Sequence, residues 1–188
     1  MQEGGNTLEL EQGIRERRSI RKFRETKIPR EVFRRVIETA SYAPSWKNSQ
    51  PVRYLVVDDE KKIRELAGET CMQGFAFNSK TLSGAPAAVI LTVKRGLSGY
   101  EKDGSFSTSK GEHWQSFDAG IAAQTFCLAA WEQGIGTVIM GIFDEKEVAK
   151  VIPVPDGQEI AAVIAAGYPA VCPDAPARKS VEELAVFL

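Results

Sequence analysis

Apolar and polar positions alternate along this chain in several distinct periods. Val32, Phe33, Val36, Ile37 and Ala40 recur at helical spacing and predict an amphipathic helix of about three turns. Pro29 sits where a first helical turn tolerates it, and the helix must stop before Pro44, because a residue preceding proline is pushed out of the α region. Leu8–Arg18 predicts an earlier helix ending near Ser19. Val52–Val57 reads as a strand closed by Asp58 and Asp59, and Glu60–Gly68 as a short helix. Ala87–Lys94 is apolar enough to be a strand buried on both faces. Phe117–Gln133 is apolar nearly all round, the mark of a central helix, with Gly134 as its C-terminal cap. Gly136–Met140 and Glu159–Gly167 predict two more strands. Between the two, Asp144-Glu145-Lys146-Glu147 fits a capping box opening a helix through Val151. Helices and strands are mixed without strict alternation, which favours α+β over a doubly wound sheet.

Two stretches lack periodicity. Residues 96–112 hold four Gly and four Ser in seventeen positions, and such a segment inside a compact domain is either mobile or functional. Ala170–Lys179, with Pro173 and Pro176, predicts an extended tail, so that 170–188 reads as a C-terminal extension of one domain spanning 1–188.

Composition narrows the function classes. The chain has 188 residues, 43% hydrophobic and 26% charged, an ordinary globular balance. Its longest apolar run, Ile160–Ala166, is far short of a membrane span. Met1–Asn6 is polar with no apolar core behind it, so no secretory signal is expected, and three cysteines without a CxxC pair read as reduced thiols in a cytoplasmic protein. One histidine, His113, gives a His-rich metal site or a Ser-His-Asp triad little to stand on.

The candidate chemistry lies in a local charge cluster. Arg15, Arg17, Arg18, Arg21, Lys22 and Arg24 face a single acid, Glu16. Taken alone, such a run is a solvated face. A nucleic-acid surface fits poorly, because 24 Lys+Arg are balanced by 25 Asp+Glu. Localised charge on a near-neutral chain points instead to one small anion. No GxGxxG follows a strand and no GxxxxGK[ST] occurs, so a phosphate has to be held by side chains. Arg17, Ser19 and Arg21 offer two guanidinium groups and a hydroxyl where the first helix ends. Arg178 and Lys179 supply a second basic pair or a solvated tail.

Four blocks then carry a resemblance: Arg17-Arg18-Ser19-Ile20-Arg21-Lys22-Phe23, Ala43-Pro44-Ser45-Trp46-Lys47-Asn48-Ser49-Gln50-Pro51, Gly134-Ile135-Gly136 after an alanine-rich helix, and Gly167-Tyr168-Pro169. In this order and spacing the chain resembles the nitroreductase family of FMN-dependent reductases from about Ile14 to Lys179. The resemblance implies a nitroreductase-like α+β fold, a central mostly antiparallel sheet flanked by helices, in an intertwined homodimer with FMN at the subunit interface. It implies that Arg17, Arg18, Ser19 and Arg21 meet the phosphate and ribityl chain. Pro44, Ser45 and Asn48 match the loop that the partner subunit lays on the flavin. Met140 and Gly141 match the turn facing N5, Arg178 and Lys179 a C-terminal phosphate contact, and Asn78 and Lys80 a contact to the pyrimidine edge or a polar turn. Trp46 stands where many relatives carry a small residue, and Met140 where some are acidic. Trp46, Phe106 and Trp114 are candidates for the substrate mouth, or packing residues.

What the resemblance implies for function is a ping-pong exchange in which NAD(P)H reduces FMN and a nitro, quinone or flavin-type acceptor is reduced in turn, with no metal, nucleic acid or membrane involved. No catalytic side chain is expected, since the cofactor carries the chemistry. Flavin fragmentation, reductive dehalogenation or dehydrogenation on the same architecture, and a non-catalytic FMN-binding protein, are the alternatives. A basic-patch binding module without cofactor stands furthest from these.

Overall fold

The computed structural model describes residues 9–188. Leu8 and the polar Met1–Asn6 segment lie outside the described residues. Helix α1 spans Leu10–Glu16 and α2 spans Arg30–Ala40. Strand β1 (Val52–Val57) is followed by α3 (Glu60–Leu66), α4 (Ala76–Ser83) and β2 (Ala87–Lys94). The long helix α5 (His113–Glu132) leads to β3 (Gly136–Met140), α6 (Glu145–Val151), β4 (Gln158–Gly167) and a last short helix, α7 (Val181–Leu184).

The four strands form one sheet in the order β1-β2-β4-β3, antiparallel at every pairing. This is an α+β arrangement with helices on both faces. On one face, Val89, Leu91, Val93, Ala162 and Ile164 pack against Val32, Phe33 and Val36 of α2 and Ala119, Ala123 and Phe126 of α5. On the other, Ala88, Ile90, Val138, Met140 and Val163 pack against Ile63, Leu66, Leu82 and Val148 of α3, α4 and α6. Period-two alternation feeds both layers, which is why β2 reads as a continuous apolar run. Opposite Leu91 and Thr92 the register skips Ala161, a β-bulge. The extra residue flips the alternation, so Ile160 joins the second layer while Ala162 faces the first.

Several boundaries differ from the pattern. The first helix ends at Glu16, not Arg18, and Arg17–Phe23 runs on as an extended segment along the sheet. Its anchor points are the Ile20 amide donating to Thr137 O (2.9 Å), a parallel bridge between Ser19 and Thr137, and an antiparallel one between Phe23 and Pro169. α3 stops at Leu66, two residues short of Gly68. α5 starts four residues before Phe117, and α4 and α7 had no apolar pattern to announce them. At α6 the Asp144 carboxylate caps the Glu147 amide at 3.0 Å, but Glu147 turns to Lys150, so only half of the expected box forms.

Two glycines explain how the basic segment reaches the sheet. Gly136 and Gly167 face each other across β3 and β4. A Cβ on Gly136 would lie 2.4 Å from Ile20 Cγ1, and one on Gly167 2.6 Å from Pro86 Cδ and 2.8 Å from Phe23 Cδ1. Only the missing side chains let Ile20 and Phe23 settle there. Residues 171–188 are exposed throughout, Val171, Leu184, Val186 and Phe187 included. Among the described residues, no helix is long and apolar enough to cross a membrane.

Candidate functional site

The structure gathers the candidate residues into two groups and leaves a third apart. The first group surrounds Arg17–Arg21. Arg17 is the C-cap residue of α1, half-buried, and its Nε–H is buried with no acceptor among the described residues. A buried donor without a partner costs about 1–3 kcal/mol, more when charged, so this atom marks a place for an anionic or oxygen-rich ligand. Below it lies Cys127 of α5. Burial pushes that thiol up, against the opposing pull of the Thr137 hydroxyl and the Arg17 charge. Arg18 turns back onto the helix end and donates to the carbonyls of Arg15 (2.6 Å) and Arg17 (2.9 Å). Arg21 is exposed, donates to Ser19 O at 3.1 Å, and stacks over the Phe77 ring with 5.6 Å from guanidinium to centroid. Phe77, itself exposed, was not singled out from the sequence. It lies on α4, whose face carries almost no apolar periodicity.

The same α4 brings Asn78 in. Asn78 is buried and its side-chain amide donates to Ile142 O at 3.1 Å. It thereby ties α4 to the turn after β3. Gly141 in that turn has open space where a Cβ would be, so its backbone is accessible from outside. Met140 is buried with its side chain in the second core layer. Its side chain therefore faces protein, and only main-chain groups of Met140 and Gly141 are left for a ligand. Lys80 is exposed on α4.

The second group is the loop 44–50. Trp46–Asn48 form a single 3-10 turn, and Lys47, Asn48 and Gln50 have φ of 46°, 54° and 46°. Asparagine tolerates the left-handed region; for lysine and glutamine it costs about 1–2 kcal/mol each. Three such residues in one short loop are held by specific bonds. Ser45 Oγ accepts from the Gln50 amide (2.9 Å), and the Trp46 amide donates to the Asp118 carboxylate (2.9 Å). Lys47 Nζ reaches both carboxylate oxygens of Glu101 at 2.8 and 3.1 Å. That contact, and then the Ser107 hydroxyl, holds the Glu101 carboxyl below its usual range. The Trp46 ring sits 4.8 Å from that of Trp114, which in turn meets Phe117 edge-on at 5.3 Å.

Segment 96–112 carries no regular element but is knit internally. The Glu101 amide donates to Ser105 O and the Ser107 amide to Gly99 O, both at 2.8 Å. Phe106 is exposed and lies 5.0 Å from the Tyr100 ring, above Gly111. Trp114 donates to the Thr108 hydroxyl at 2.9 Å. Both aromatics, candidates for the substrate mouth or for packing, thus help fold this segment.

None of the hydrogen bonds of loop 44–50 runs to Arg17–Arg21 or to α4; they go to Ser98, Glu101 and Asp118, apart from those within the loop and its flank. Among the described residues, Pro44, Ser45 and Asn48 are therefore not tied by hydrogen bonds to Arg17, Ser19, Arg21, Asn78 or Gly141. Arg178 and Lys179 form the third location, exposed in the tail, where among the described residues Arg178 donates only to its neighbours Pro176 and Ala177. Asp118 and Ser98 were also not singled out, although a lone acid inside an alanine-rich helix is a readable signal. Among the described residues, no group of three or more His, Cys, Asp or Glu side chains could hold a metal ion.

Comparison with known proteins bears on the family and the fold. The profile of the Nitroreductase family matches residues 14–168. A Bacillus subtilis protein named as an NAD(P)H nitroreductase, YfhC, is 28% identical over 186 residues, covering 90% of this chain and 89% of its own. A nitroreductase from Desulfovibrio desulfuricans, crystallised in complex with FMN, is 28% identical with a TM-score of 0.73, covering 94% of this chain and 95% of its own. The fold recurs in a nitroreductase family protein of Streptococcus pneumoniae, with a TM-score of 0.83 at 23% identity, covering 96% of this chain and 100% of the other.

Proposed function

The chain belongs to the Nitroreductase family, and we propose that it is an FMN-dependent oxidoreductase that passes hydride from NAD(P)H to a small electron-accepting molecule, a nitro compound, a quinone or a flavin. The observation that carries the cofactor is Arg17: a buried guanidinium N–H without an acceptor among the described residues, on the same extended segment as Ser19 and Arg21, fits the phosphate and ribityl oxygens of FMN. When bound, FMN supplies the hydride-exchanging centre, N5.

The chain's own residues bind and orient. Arg17 and Arg21 neutralise the phosphate, and Ser19 adds a hydroxyl; Arg18, engaged with the end of α1, contributes through its charge. The Gly141 amide would serve the reacting edge of the ring, in a turn that Asn78 braces through the Ile142 carbonyl. Lys80 stands on the same helix for the pyrimidine edge, with Asn78 contributing the oxygen of its amide. Pro44, Ser45 and Asn48 form the opposite wall in a homodimer, where the loop of one copy faces the Arg17–Arg21 stretch of the other. The exposed apolar side chains of the tail, Val171, Leu184, Val186 and Phe187, support a second copy. Arg178 and Lys179 reach the phosphate once that tail is packed. Trp46, Trp114 and Phe106 border the acceptor's entrance.

The test is an anaerobic titration of purified, FMN-loaded protein with NADH and then NADPH. Bleaching of the flavin absorbance with one of them, and its recovery on adding a nitroaromatic or quinone, is the expected result. A yellow protein that neither nucleotide bleaches is a flavin-binding protein without this turnover, and the reading fails.

A further inference from the structure

Asp118 is not among the flavin contacts proposed above, yet this carboxylate is almost wholly buried in α5. One of its oxygens, Oδ2, accepts from the Ser98 hydroxyl at 2.6 Å and from the Trp46 amide at 2.9 Å. One turn earlier on the same helix, Gln115, also buried, accepts from the Gly96 amide at 2.8 Å. The start of α5 thus holds two loops that are far apart in sequence. Ser49 and Ser98 join them again through a hydroxyl pair at 3.2 Å, and Lys47 and Glu101 join them at the surface. A carboxylate suits this junction because both groups aimed at it are donors, and a charged acceptor shortens such bonds. It also sits under the run of left-handed residues in loop 44–50, a conformation that persists only where its surroundings enforce it.

We propose that Asp118 is a positioning residue: it holds Pro44, Ser45 and Asn48 in the arrangement that faces FMN and locks segment 96–112 to the same loop. The flavin wall and the acceptor's entrance are then set by one buried carboxylate. This rests on the reading that loop 44–50 meets the cofactor, and the experiment separates the two.

Trp46 and Trp114 are close enough for their indoles to couple, so the near-ultraviolet circular dichroism of the FMN-free protein reports the loop directly. Trp46→Phe identifies the coupled band. Asp118→Ala is expected to remove that band, keep the far-ultraviolet helix signal, and weaken FMN binding about tenfold, whereas Asp118→Asn, which keeps an acceptor oxygen, restores the band and brings the Kd to within about threefold of the parent. The acceptor's KM rises in Asp118→Ala more than kcat falls. Should Asp118→Ala fail to fold, Ser98→Ala and Asp118→Asn carry the test, with Ser98→Ala expected to lose part of the band and part of the FMN affinity. Parent values for band, Kd and KM in Asp118→Ala, or in Ser98→Ala where only that variant folds, overturn the proposal. A band lost with FMN affinity and acceptor KM unchanged overturns it too, for the loop would then be held but not used. Parent protein that takes up no FMN sinks the cofactor reading instead; the band then still tests whether Asp118 holds the loop.

Discussion

The side-chain amide of Asn78, itself buried, donates to the carbonyl of the exposed Ile142 across 64 residues of sequence, at 3.1 Å. This bond turns α4 into a brace for the turn that presents Gly141. Asn78→Ala removes this bond, and a loss of about 0.5–1.5 kcal/mol in unfolding free energy is expected from denaturant titration. Asn78→Asp goes further, because it sets a carboxylate against a carbonyl oxygen. Both variants should slow anaerobic flavin reduction by about tenfold, equivalent to 1.4 kcal/mol of barrier. Stopped-flow traces that match the parent would show that the turn needs no brace.

Arg17 and Arg21 are expected to differ. Arg17 has a buried donor committed to nothing else, whereas Arg21 is exposed and already stacks on Phe77. A charge-assisted hydrogen bond is worth about 1.5–3 kcal/mol, so Arg17→Ala should raise the FMN Kd by roughly ten- to a hundredfold. Arg21→Ala should cost less. Equilibrium fluorescence titration with FMN measures both, and the reverse order would place the phosphate nearer Arg21.

Gly136→Ala and Gly167→Ala test the seam between the basic segment and the sheet. Each new methyl meets atoms closer than van der Waals contact allows, Ile20 in the first case and Pro86 and Phe23 in the second. Overpacking of this kind costs about 1–3 kcal/mol. Gly136→Ala should also weaken FMN binding, since relief requires Ile20, and with it Ser19 and Arg21, to move. Thermal melts with and without FMN separate the two effects: a variant that melts earlier yet gains the parent's full stabilisation from FMN would show that the segment had not shifted.

Tyr54 sets an alkaline limit. Burial, and then the charge of Cys127, pushes its phenol up to about 12 from an ordinary 10.0. The fold therefore favours the neutral phenol. That contribution is fully present below the ordinary value and is lost as pH rises through it towards about 12. Tyr54→Phe should flatten the fall in stability over that window and remove the latest step in phenolate absorbance. A parent whose stability does not change there would contradict the assignment.

How much of this was legible in the sequence depended on what kind of force shaped each element. β1, β2 and β3 begin and end where their apolar runs do, because burial on one or both faces decides them. α5 begins earlier than its apolar pattern because Gln115 is buried for a hydrogen bond to Gly96, not for its apolarity. α4 is defined by Asn78, Thr81 and Leu82 facing inward, a mixture without periodicity. α7 did carry a signal, the Ser180 and Glu183 capping box. The basic cluster was plain from composition, and its resemblance to the family lay in short blocks that survive as strand edges and turns. The left-handed backbone at Lys47 and Gln50 left no trace, since neither residue favours it; bonds such as Trp46 to Asp118 and Lys47 to Glu101 hold the loop from elsewhere in the chain.

The extended stretch that carries the cations also lies against β3, which stands at one end of the strand order. An open strand edge is a template for pairing with other molecules. With Ser19 bridged to Thr137 and the Ile20 amide bonded to it, that edge is closed by the very residues that would hold the phosphate. Losing this stretch from the sheet would thus convert a binding defect into a solubility defect, with filaments or precipitate appearing before any change in chemistry could be measured.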